Sequence, residues 1–429
     1  MTRTRRLGAL AAVLLGATAL AACASGGSGS GSGSGGAISV DYMQSGTYDK
    51  AAHGLQPAFE KSTGASVNIY AYPWATLASD NLNAGISGKC TYNVVSGSYY
   101  LAPIYSQMKS LDDLASKSGY SSQLIPGLWE HSEYYNGQHI GVPYGPDAYA
   151  PMYRTDLFRK AGLTPPKTWA DLLADLPILK AKFAGQGIAP IVFGAGDSSQ
   201  VSHLLYLTYN SYQINKAGHY ALDPAAATTA LTYGLKLLSY GPQNISGMSE
   251  EAADAAFTSG KAAILLDWPS FEQVQGNAAG SPIKGKWAVL QDPPNSFVYL
   301  SLWQMFMTAC TQNTSAAWKW MTTFSSPSTD KTLFTQYGVN PSFKSTYDNP
   351  SIAKQYNWYL PATEANLARA ENPATTTEAG TVLGQDISNA ITGKMTPSQA
   401  VSAINQSWAS LSVPSVLSAE AKKDGLVQS

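Results

Sequence analysis

Residues 38–70 read ISVDYMQSGTYDKAAHGLQPAFEKSTGASVNIY. Residues 38–42 alternate apolar and polar side chains, the period of a strand. Ser45, Gly46 and Thr47 make a loop. Residues 49–62 then carry helical spacing, with Leu55 and Phe59 four apart, and Gly64 stands where a left-handed residue ends a helix. Residues 67–70 return to strand. Working outward, 75–85 has the spacing of a second helix and 92–95 that of a third strand. Strand and helix alternating in this way predict an α/β fold around a parallel sheet.

The rhythm changes near residues 139–144. A short helix is expected over 156–161, closed by Gly162. Thr168 and Asp171 have capping-box spacing at the head of a helix over 169–179, and Trp169 belongs to that helix start. Residues 188–193 read as a buried strand, 198–240 as mainly helix, 252–258 as helix and 262–266 as strand. Residues 297–309 look extended. Residues 315–324 form an amphipathic helix whose Trp318 and Trp320 are expected to pack. Beyond Pro361 the pattern is mostly helical, and no internal repeat is present.

Composition narrows the function. A net charge of −1 gives no handle on nucleic acid or an anionic surface. Only 13% of residues are charged, whereas 25 Tyr and 10 Trp offer flat apolar faces with a polar edge, suited to half-polar ligands. The five His are scattered, and no CxxC or HExxH motif occurs, so metal catalysis and cofactors are not expected. The roughly 400 residues after the N-terminal segment exceed one ordinary core and point to two domains.

That N-terminal segment has Arg3, Arg5 and Arg6 before an apolar stretch ending near Leu20, too short for a good membrane span and read as a signal peptide over 1–22. Leu20-Ala21-Ala22-Cys23 resembles the bacterial lipobox, which implies that Cys23 is acylated and becomes the mature N-terminus. Thr4-Arg5-Arg6 faintly resembles a twin-arginine signal, so the export route stays open. Residues 23–36 form a Gly/Ser-rich tether whose composition cannot bury a core. Of the remaining cysteines, Cys90 and Cys310 are far apart in sequence. In an oxidising compartment they could pair or stay free.

Several stretches resemble the carbohydrate-binding group of extracellular solute-binding proteins of ABC importers. Residues 136–144, NGQHIGVPY, lead into 152–163, MYRTDLFRKAGL, and 165–172, PPKTWADL. Residues 256–264, AFTSGKAAI, 59–67, FEKSTGASV, and 393–400, GKMTPSQA, match further blocks. The family's paired glycines near 300–302 are absent, with Tyr299-Leu300-Ser301-Leu302-Trp303-Gln304 in their place, and Arg154 stands for a common Asn. The resemblance implies two α/β lobes joined by a hinge with an interlobe ligand cleft. An N-terminal lobe would hold 37–145 and 299–350, and a C-terminal lobe 146–298 and 351–429. Cys90 and Cys310 would then share a lobe.

Ligands of such sheets sit at the carboxyl ends of strands. Loop position nominates Gln44 and Ser45 after the first strand, Trp74 after the second, and Tyr99 and Tyr100 after the third. If extended, Tyr99 and Tyr100 point to opposite faces. Asp147 and Tyr149 follow the first crossing, and Asp147 can serve either as a ligand contact or in a hinge salt bridge. Asp267 and Trp268 end a buried strand, Trp303 and Gln304 replace the glycines, and Arg369 lies in a late loop. The implied function is a monomeric, lipid-anchored receptor on the outer face of the membrane. It would capture a sugar by lobe closure and deliver it to ABC permease subunits. A polyol or sugar phosphate remains open. The alternative is a surface-anchored glycoside hydrolase, which needs two carboxylates flanking the scissile bond, for instance Asp147 and Asp267.

Overall fold

The structure, a computed structural model, describes residues 36–89, 91–293, 296–373 and 375–429. Cys23 and the proposed signal segment lie outside them. The expected alternation is present: strands β1 (Ile38–Met43), β2 (Val67–Tyr72) and β3 (Val94–Gly97) run parallel with β1 between the others. Helices Tyr48–Thr63 and Trp74–Ile86 connect them. Gly64 ends the first helix at φ 70°, where its N–H bonds the Glu60 carbonyl. A small hairpin, β4 (Tyr134–Tyr135) and β5 (Gln138–His139), precedes the first crossing.

That crossing is made by β6 (Gly141–Ala148) and β7 (Ala150–Arg154), separated by the single residue Tyr149. β6 belongs to the first sheet, whereas β7 is the centre of a second sheet flanked by β8 (Ile264–Asp267) and β9 (Trp287–Val289). β10 (Val298–Met307) crosses back: it pairs with β11 (Ala370–Glu371) at its start, with β6 along most of its length, and with β3 at its end. Residues 188–193, expected as a strand, join the second sheet only through single bridges from Ala189 to Ala262 and Val192 to Leu265.

All eight residues of β6 are buried although it contains Pro143 and Pro146. Proline cannot donate to a ladder and is confined to edges and bulges; β6 meets both conditions. Among the described residues it pairs with β10 alone, and the register skips between Leu302↔Pro146 and Gln304↔Pro143, so Tyr144 and Gly145 together oppose Trp303. Gly145 sits at φ 56°, the left-handed conformation such a bulge needs. The Pro143 carbonyl accepts from the Tyr120 and Ser325 hydroxyls instead.

Period-two alternation sorts β8 between two cores. Leu265 faces the first, with Phe59, Leu77, Trp320 and Phe324, while Ile264 and Leu266 face the second, with Leu176, Leu231, Leu383 and Trp408. The first core is thus continuous from the helices of the first sheet onto one face of the second. Ile352, Tyr356, Tyr359 and Leu360 pack in the first core, and Leu383, Ile387, Ile404 and Trp408 in the second. The capping box at Thr168 and Asp171 is formed as expected, and Trp169 donates its indole N–H to Ser296 at 2.6 Å. Trp320 is fully buried and bonds the Tyr42 hydroxyl.

Candidate functional site

Two sets of aromatic rings gather where the chain passes between the sheets. The second-sheet set centres on Tyr149, whose position between β6 and β7 leaves its ring buried and its hydroxyl donating to the Leu266 carbonyl at 2.7 Å. His203 lies flat on Tyr149, centroids 4.0 Å apart at 13°. Trp268 follows β8 directly and is held in extended backbone, its N–H donated to its neighbour Asp267 at 2.7 Å. It stands edge-on to Tyr149, His203 and Tyr299 at 5.2, 5.1 and 5.7 Å. Tyr206, one helical turn beyond His203, reaches Tyr299 at 5.7 Å.

The first-sheet set starts at Trp74, which opens a helix behind Pro73 and is 39% exposed. It stands edge-on to Tyr100 at 4.7 Å and to Trp303 at 5.8 Å, and Trp303 tilts against Tyr48 at 5.5 Å. Tyr99 and Tyr100 are not extended: they begin a 3-10 helix, Tyr99–Gln107, because the chain turns directly out of β3. The two rings nonetheless part company. Tyr100 joins Trp74, while the Tyr99 hydroxyl meets that of Tyr299 at 2.5 Å and ties the two sets together. β10 carries one ring of each set, Tyr299 before its bulge and Trp303 within it.

Most of the remaining nominated residues are engaged by the protein through their side chains. Gln44 is exposed, and its N–H bonds the Tyr72 carbonyl. The Ser45 hydroxyl accepts from the N–H groups of Thr47 and Tyr48 and so caps the first helix. Asp147 is buried, accepting from the Ser270 N–H at 3.3 Å and the Asn340 amide at 2.9 Å, and Asn340 in turn accepts from Tyr359. Both partners are neutral, so among the described residues Asp147 makes hydrogen bonds at the crossing rather than the salt bridge considered from sequence. Gln304 is fully buried, accepting from the Glu133 N–H and donating to the Glu133 carboxylate. Arg369 donates to the carbonyls of Asp292, Pro293 and Ser296, clamping a loop. Cys310 is disulfide-bonded, and Cys90 lies outside the described residues.

Burial dominates the electrostatics. It pushes Asp147 up to about 7 against the pull of its Ser270 and Asn340 bonds. It pushes Asp267 well above the carboxylate range, and neighbouring Asp254, Glu250 and Glu272 add to the effect. His203 is pressed down to about 3, so its imidazole is neutral. No group of three metal-ligating side chains occurs among the described residues, and none of their helices is long and apolar enough to cross a membrane. The site therefore offers ring faces, hydroxyls and a neutral imidazole, the surface that suits an uncharged ligand carrying both C–H and O–H groups.

His203, Tyr206, Tyr299, Tyr48 and Tyr144 were not nominated from sequence. Strand alternation places Tyr299 on the same side as Ser301, and a spacing of three puts His203 and Tyr206 on one helical face. Neither signal distinguishes a site from a core.

Residues 44–331 match the family model for the bacterial extracellular solute-binding protein. A probable ABC transporter-binding protein of Deinococcus radiodurans is 24% identical over 254 residues, 56% of this chain and 60% of that protein's length. Among solved structures, an ABC transporter solute-binding protein of Agrobacterium radiobacter K84 in complex with ribitol superposes with a TM-score of 0.77 at 18% identity, covering 87% of this chain and 98% of that one. Maltose-bound MalE3 of T. maritima gives 0.76 at 20% identity, covering 87% and 99%. A solute-binding protein of Agrobacterium vitis S4 with bound D-mannitol gives 0.73 at 19%, covering 91% and 99%. The fold is therefore the two-lobed α/β architecture of these proteins.

Proposed function

We propose, from the premise that the chain belongs to the bacterial extracellular solute-binding proteins, that it captures a sugar or polyol between its two aromatic sets and passes it unaltered to an ABC permease. The observation that carries this reading is the pairing of the sets: Trp74, Tyr100 and Trp303 beside the first sheet, Tyr149 and Trp268 beside the second, with Tyr299 of the crossing strand β10 between them and bonded to Tyr99. A sugar presents C–H faces that ring surfaces cover and hydroxyls that polar edges bond. A site built for hydroxyls rejects analogues lacking them, because its own polar atoms are then left unpaired. Ribitol, maltose and D-mannitol, held by the similar structures, share this chemistry.

On the same reading Cys23 is the lipid anchor, residues 23–36 are the Gly/Ser tether, and the folded body works as a monomer at the outer face of the membrane. A hydrolytic role is not part of it. Asp147 is tied to Ser270 and Asn340, and Asp267 is buried among three other acids.

A thermal-shift titration with maltose, D-mannitol and ribitol tests the reading. At least one raises the melting temperature of the wild-type protein and is recovered unchanged. Trp268→Ala weakens that ligand by about 2 kcal/mol, roughly 30-fold, as loss of a buried aromatic anchor does. Failure of all three to shift the wild type, or recovery of shortened product from maltose, contradicts it.

A further inference from the structure

His203 and Tyr206 stand one turn apart on the short helix Ser202–Tyr206, and both are nearly fully buried. Each holds a polar atom without a hydrogen-bond partner: Nδ1 of His203 and the Tyr206 hydroxyl. Buried polar groups in folded proteins are nearly always paired, so two orphans on one face of one turn need a cause. They share a lid. The Tyr299 ring, on the crossing strand β10, lies 4.5 Å from the His203 ring and 5.7 Å from that of Tyr206, and its own hydroxyl meets that of Tyr99.

We propose that His203 and Tyr206 form the hydrogen-bonding floor of the second-lobe set, and that hydroxyls of the bound sugar or polyol supply the partners these two atoms lack. The assignment deepens the sugar-or-polyol reading and rests on it. A neutral imidazole can accept at one ring nitrogen and donate at the other, and a phenol can do both. The pair therefore matches a hydroxyl-bearing ligand and gives a carboxylate or phosphate no cation. Trp268 and Tyr149 frame the same spot with ring surface.

The test compares wild type, Tyr206→Phe and His203→Phe by calorimetric titration with maltose, D-mannitol and ribitol, with the melting temperature of each unliganded protein measured in parallel. Tyr206→Phe removes only the hydroxyl, and His203→Phe keeps an aromatic ring, slightly larger, while removing both ring nitrogens. Each variant is expected to bind the wild-type ligand about tenfold or more weakly while melting, unliganded, at or above the wild-type temperature. Affinity equal to wild type in both variants overturns the assignment alone. A fall of several degrees in the unliganded melting temperature with affinity retained also overturns it, since that marks an internal structural bond. A wild type that binds none of the three overturns the functional reading and this assignment together.

Discussion

At Gly145 two demands fall on one residue. The backbone is left-handed, and a Cβ built there would lie 2.7 Å from Cε1 of Tyr48. Tyr48 packs against both Tyr144 and Trp303, so a side chain at 145 pushes directly on the first aromatic set. Gly145→Ala is expected to destabilise by about 2 kcal/mol or more, the left-handed cost plus displacement of Tyr48. It should also weaken ligand binding, read by denaturant unfolding and titration on the same preparation. The acids make a second prediction. Asp41 and Asp147 are raised to about 7, and Glu250 and Asp292 to about 8, mainly by burial. Each holds a proton in the folded chain that it has lost in the unfolded chain above pH 4, so its contribution is full below that and disappears as pH rises through 7 to 8. His203 acts oppositely: with a folded value near 3, its contribution is lost as pH falls from about 6.5. Melting temperature measured across pH 4 to 9 should therefore peak on the acidic side of neutral and fall toward pH 8.5. A curve rising steadily to pH 8.5 would contradict these assignments.

Elements differ in how openly the sequence declares them. Periodicity sufficed for β1 to β3 and their helices, because one face of each is apolar and Gly64 marks a stop. The capping box at Thr168 was legible for a similar reason: it is a local reciprocal hydrogen bond between residues three apart. β6 could not be read as a fully buried strand with a bulge, because its two prolines argue against a strand until its partner β10 and the bulge at Gly145 are known. Tyr99 and Tyr100, expected to alternate along a strand, instead begin a 3-10 helix that sends Tyr100 to Trp74 and Tyr99 to Tyr299. Among site candidates, Trp74 and Trp268, which follow strand ends, meet other rings as strand ends converge, and Trp303 meets Trp74 from the bulge inside β10. The polar candidates Gln304 and Arg369 went instead to protein groups, since their partners, Glu133 and the 292–296 loop, lie more than 70 residues away. His203 and Tyr206 were hidden for the complementary reason: at helical spacing a site residue and a core residue look alike.

For the whole molecule, the crossings decide what can move. β6 to β7 turns on Tyr149, and β10 returns with a bulge at Trp303, so each aromatic set is attached to a strand that leaves its own lobe. A ligand touching both sets favours the closed arrangement only through contacts it makes to both, which is how binding energy becomes lobe closure. The tether and anchor proposed at Cys23 would leave that motion free while keeping the body near the membrane. The most direct measurement is small-angle X-ray scattering of the purified protein with and without a saturating sugar or polyol, at a concentration fixed by prior titration. Capture between the lobes predicts a radius of gyration that falls on saturation. A ligand that binds while the scattering curve stays unchanged or expands would contradict it.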